Sequence, residues 1–303
     1  MLGMVLSILA SIIFPVFVLI GIGWLLDRRF RLDVPTLSKL NFYVFVPALI
    51  FVKVLDSDIR LTDARDIVLV SVLLVAALYG LTRVVYRFAP FRDAATALTL
   101  GTLFFNAGNY GLPLAELAYP GVGAGIMAIV LMTQNLLCFT LGLWILESRS
   151  HTPGAILLGL VRIPVVPAIA AALSLRGIEL QPPAVVMVPL RYLADGLIPV
   201  ALLTLGVQLG RTTRSETALP LAGVGLARLV ISPLIAWGLV WLVGMSGPAA
   251  GVCIVAGGLP VAVNVYILAS EYRQHAALAS RMVFWTTLLS AASLTVVLAL
   301  VKA

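Results

Sequence analysis

Two stretches of this sequence set polar and conformationally permissive residues inside otherwise apolar runs, in a pattern suited to holding a small anion. GTLFFNAGNYGLPLAELAYPG, starting at Gly101, and VAGGLPVAVNVYILASEYR, starting at Val255, each carry Gly, Pro and Asn near the middle. Glycine and proline disfavour an unbroken helix, and proline brings no N–H to the turn. A broken helix exposes half-helix N-termini whose amide donors and positive dipole ends suit a carboxylate. Asn106, Asn109 and Asn264 add donors without the cost of a permanent buried charge. With Gly111, Pro113 and Pro260 they form the expected anion site. The bland alternative is that these residues only let helices pack closely and bond to one another.

Few ionisable groups lie in the apolar runs. Arg191 and Asp195 are four apart and share a helix face. Either they pair near the membrane interface, or Asp195 titrates beside the substrate path while Arg191 attracts the anion. Glu116 and Glu271 end the two interrupted stretches, where they are either solvated or exchange protons. Arg228 is expected to meet a neighbouring helix or to snorkel, and Thr133, Gln134 and Asn135 to support unwound backbone. Cys138 and Cys253 sit in apolar runs without a His/Cys cluster, so no metal and no cofactor is expected. His151 and His275 fall in loops, leaving no nucleophile–base pair at depth and speaking against an enzyme. No GxxxxGK[ST] motif occurs, so no ATPase is built in.

The elements that must position these residues are membrane helices. Of 303 residues, 61% are hydrophobic and 11% charged, too little polar surface for a water-soluble fold. The expected fold class is an all-α polytopic membrane protein. Apolar runs at 5–26, 36–55, 64–88, 94–115, 119–146, 153–175, 184–209, 218–243, 248–270 and 277–301 predict ten helices, each near the ~20 residues that span a bilayer. The net charge of +7 is scattered through short loops, which carries topology and offers no nucleic-acid surface. Arg28, Arg29, Arg31, Arg87, Arg92, Arg149, Arg211, Arg214, Arg273 and Arg281 follow odd-numbered segments, which places both termini outside the cytoplasm. Lys53, Arg60 and Arg65 run against that rule.

Pro15 and Pro167 are 152 residues apart, as are Pro47 and Pro199; Asn109 and Asn264, and Glu116 and Glu271, are 155 apart. The near-equal offsets predict a duplication, residues 1–146 and 153–303 joined by a cytoplasmic linker 147–152. Five helices per half is an odd number, so the second half is inverted, with helices four and nine broken.

LNFYVFVPALIF, FFNAGNYGLPL, ADGLIPVALLTLGVQL and GLPVAVNVYILASEY, in segments two, four, seven and nine, resemble the auxin efflux carrier family, which includes plant auxin exporters and bacterial organic-acid permeases. The likeness covers the whole chain. It implies ten helices in two inverted repeats, similar to bile-acid/sodium symporters. Helices one, two, six and seven would form a scaffold, the others a mobile core, often in a homodimer, with substrate at the crossover in the cell's inner membrane. By position Asn106 matches the crossover asparagine and Pro260 the crossover proline. The family's proline before that asparagine is Phe105 here, which shifts the expected break to Gly108, Gly111 and Pro113. The implied function is secondary active or facilitative transport of a small organic anion, an auxin-like monocarboxylate or a dicarboxylate such as malate or malonate, with protons as the possible coupling ion. The alternative is a sodium- or proton-coupled symporter or antiporter, for which sodium lacks a close acidic pair at mid-membrane.

Overall fold

The computed structural model describes residues 2–56, 61–88, 91–147, 164–211 and 218–302; Arg60, Arg149, His151, Arg214 and residues 148–152 of the expected linker lie outside them. Among the described residues, seven helices are long and apolar enough to cross a membrane: α1 (Gly3–Phe30), α2 (Val34–Asp56), α3 (Asp63–Val85), α6 (Gly123–Leu146), α8 (Ala184–Gly210), α9 (Leu219–Val243) and α12 (Ala276–Val301). Five more are shorter: α4 (Ala95–Leu103), α5 (Leu112–Ala118), α7 (Val165–Gly177), α10 (Gly247–Gly257) and α11 (Val263–Glu271). The chain is a polytopic helical membrane protein.

Proline shapes these helices in a repeated way. A proline ring collides with the carbonyl four residues back and leaves it without a donor. Widened π turns at Leu9–Ile13, Asn41–Phe45, Ala107–Gly111 and Ala227–Ile231 each end two residues before Pro15, Pro47, Pro113 and Pro233, and absorb that misfit without interrupting the helix.

Helix α8 lies along α1 and α2, and α7 packs on α2; on the other side α3 packs against α6 and α9, and α10 against α6 and α9. The α1–α8 contact is made at backbone distance. A Cβ on Gly23 would strike the Leu203 carbonyl, and one on Gly206 the Ile20 carbonyl, so glycine is required at both.

Polar contacts mark two ends of the helix array. At one, Arg211 after α8 grips Asp27 of α1 at 2.6 Å and also donates to the Leu32 carbonyl. There Asp33 caps α2 by accepting from the Thr36 hydroxyl and N–H, which holds its carboxyl below the ordinary range. At the other end, Lys53 meets Glu116 at 2.5 Å, Arg191 meets Asp56 at 3.2 Å, and Lys302 donates to the Ala118 carbonyl at 2.6 Å. Lys53 is therefore a paired residue within α2 and not a loop charge, and Arg281, expected in a loop, lies inside α12.

Candidate functional site

The two interrupted stretches meet where their helices stop. Between α4 and the π turn at Ala107, and between α10 and α11, the chain runs extended, and the two extended pieces pair antiparallel at Phe105 and Val261. Asn106 N–H donates to the Pro260 carbonyl and Ala262 N–H to the Phe104 carbonyl, both at 2.9 Å. Backbone freed by each break thus satisfies the other, as a membrane interior demands. The break falls at Phe104–Asn106. Gly108 and Gly111 instead lie in the π turn, and Pro113 in α5, so the expected placement of the break on these three is corrected.

Other loose backbone groups are met by side chains. Gln134 of α6 donates from Nε2 to Leu103 at 3.0 Å, the supporting role its position predicts, and Thr286 of α12 accepts from Val261 N–H at 3.0 Å. Arg228, fully buried in α9, donates to Gly257 at 2.7 Å, Thr102 at 3.0 Å and Leu259 at 3.2 Å, and lies 4.9 Å over the Phe105 ring. It neither snorkels nor pairs with an acid. Its charge faces the C-terminal, negative dipole ends of α4 and α10 together.

A cavity of about 290 Å³ extends from the breaks toward the Asp27 end, with exposed Lys39 at its rim. Asn41, Asn106, Asn109, Gln134, Asn135, Gln208 and Asn264 line it, and among the described residues no Asp or Glu does. The first residues of the π turn before α5 and of α11 line it too, so two half-helix N-termini face it. Among the described residues, four buried atoms of side chains that line it have no hydrogen-bond partner: Asn106 Nδ2, Asn41 Oδ1, Gln134 Oε1 and Gln208 Oε1.

The expected site residues divide accordingly. Asn106, Asn109 and Asn264 come together on the cavity. Gly111, Pro113 and Pro260 do not line it; they are buried behind it, Pro260 offering its carbonyl to Asn106. Arg191 and Asp195 do not pair with each other. Arg191 reaches Asp56, and Asp195 is exposed on α8 away from the cavity. Glu116 is partly exposed and bound, to Lys53 and to the N–H groups of Gly121 (3.1 Å) and Ala124 (3.3 Å). Glu271 is exposed at the end of α11, off the cavity. Asn41, Gln208 and Lys39 were missed; single polar residues in apolar helices were their only signal. Among the described residues no three His, Cys, Asp or Glu gather as metal ligands.

Two paired helix breaks beside a polar cavity, inside an array of membrane helices, are the setting of a membrane transport protein. The model of the family described as membrane transport protein matches residues 8–298, and the chain belongs to that family, the auxin efflux carriers. It is 25% identical over 307 residues to a Rhizobium meliloti (strain 1021) protein named, provisionally, a malonate transporter, covering 97% of this chain and 96% of that one. It is also 28% identical over 295 residues to an uncharacterized transporter of Methanothermobacter thermautotrophicus, covering 93% and 95%.

Proposed function

We propose that the chain moves a small organic anion across the bilayer by alternating access, as a secondary active or facilitative transporter. The observation that carries this reading is the asymmetry of the cavity: it runs from the paired breaks toward the Asp27 end of the helices, while at the other end the Lys53–Glu116 pair joins α2 to α5. The anion would meet Asn106, two positive helix ends and, on entry, Lys39. A relative named for malonate supports a carboxylate cargo.

In this reading α4 with α5, and α10 with α11, are single broken crossings. Ten crossings then form two inverted five-helix halves, 1–146 and 153–303, consistent with the antiparallel pairing of the breaks. Helices α1, α2, α7 and α8 form the scaffold, and the rest move against it in each protomer of a homodimer. Both termini lie outside the cytoplasm of an inner membrane, so the cavity faces inward. Movement must part Lys53 on the scaffold from Glu116 on the core. Sodium coupling is disfavoured because Arg228 already occupies the break carbonyls that a bound cation would need.

Flux of radiolabelled organic acids into proteoliposomes tests the reading. At least one acid should be carried, and Asn106→Ala should weaken its binding in a folded protein. If no candidate acid gives specific flux, the transport reading fails.

A further inference from the structure

The unpartnered groups of the cavity wall have a sense that cannot be reversed. An amide can be turned to exchange O and N unless a partner of fixed sense holds it. Asn106 Oδ1 accepts from the backbone N–H of Asn109, which can only donate, so Nδ2 is the end left over. Gln134 Nε2 donates to the Leu103 carbonyl, which can only accept, so Oε1 is left over. Asn41 Nδ2 donates to Thr204 Oγ1 at 3.0 Å, and the Thr204 proton is itself committed to the Val200 carbonyl at 2.6 Å, so Oδ1 is left over. These side chains are 6%, 4% and 2% exposed. Three side chains that line the cavity therefore hold one fixed donor and two fixed acceptors without a partner among the described residues.

A carboxylate has only lone pairs to offer. It suits Asn106 and the helix N-termini but opposes Gln134 Oε1 and Asn41 Oδ1 with oxygen against oxygen. The ligand must bring a hydrogen as well. An ammonium group would supply it, but among the described residues no acidic side chain lines the cavity to balance that charge. A hydroxyl supplies it neutrally. We infer that the cavity selects hydroxy acids: the carboxylate meets Asn106 Nδ2, and the hydroxyl donates to Gln134 Oε1 or Asn41 Oδ1. This rests on the organic-anion reading and narrows it.

Matched acids that differ in one group test it on the unaltered full-length protein. Lactate, propionate and alanine, and malate, succinate and aspartate, are compared by thermal stabilisation and by competition at about pH 8, where plain acids retain no carboxyl proton. The hydroxy member of each set should bind ~10-fold or more tightly than its deoxy partner, because a site with a buried acceptor rejects a ligand that leaves it unpaired. Asn41→Leu should shrink that ratio, because the deoxy acid no longer leaves the Asn41 acceptor unpaired. Equal binding of hydroxy and deoxy acids, or tightest binding of the amino acids, overturns the inference while leaving anion transport standing. Binding of none of the six overturns both.

Discussion

Replacing Glu116 by Gln should shift this protein away from the conformation described. Gln keeps one acceptor oxygen for the N–H groups of Gly121 and Ala124, which bond to different oxygens of Glu116, so the substitution removes the charge opposite Lys53 together with one of those two hydrogen bonds. The two side chains are 21% and 18% exposed, which sets the pair between an exposed bridge, worth about 0–1 kcal/mol, and a buried one, whose disruption costs roughly 3–5 kcal/mol. A loss of about 1–2 kcal/mol follows, or roughly a 5- to 30-fold change in the ratio of the two facing states. Lys53→Met should do the same, and the double variant should do no more than either single, since one interaction is lost in all three. The assay is thiol labelling of Asn264→Cys on the cavity, in a background with Cys138 and Cys253 replaced by Ser, using an impermeant maleimide added to one face of oriented vesicles. Labelling should slow from the cavity side and quicken from the other. Unchanged labelling in both single variants would refute the idea that this ion pair holds the cavity's far end shut.

Arg228→Met should cost about 2–5 kcal/mol, because three carbonyls at 2.7–3.2 Å lose their donor while relief from burying a charge returns part of it; wild-type thermal stability in the variant would dismiss the role at the breaks. Gly206→Ala should destabilise by about 1–3 kcal/mol, read as a lowered unfolding temperature in detergent, since its methyl would overlap the Ile20 carbonyl. The depressed pKa of Asp33 makes its cap fully effective above the ordinary value near 3.8 and progressively lost as pH falls below it. Asp33→Asn, which still caps, should flatten that acid limb of the stability curve, and an unaltered limb would assign the loss to other carboxylates.

The breaks were legible because their physics is local. Gly and Pro clustered inside an apolar run mark a helix that cannot continue, and Asn106 and Gln134 are polar where lipid forbids idle polarity. The break's exact place was not legible. Gly108, Gly111 and Pro113 looked like the breakers, yet a π turn accommodates them while Phe105, a good strand residue, makes the bridge. Spacing likewise put Arg191 and Asp195 on one face but could not reveal that Arg191 stands beside Asp56, 135 positions away. Nor does anything local join Lys53 to Glu116. Asn41 was hidden for another reason: it opens a π turn, which rotates the helix face out of regular register.

The pairing of the two breaks is made by main-chain atoms, Asn106 N–H with Pro260 and Ala262 N–H with Phe104. Side-chain replacement cannot delete those bonds unless it introduces proline. The groups that would choose the cargo, on Asn41, Asn106, Gln134 and Gln208, are by contrast side chains hung around that frame. Framework and lining are thus largely separate: exchanging Asn41 or Gln208 would change the chemistry of the cavity while leaving intact the main-chain bonds that join the two breaks.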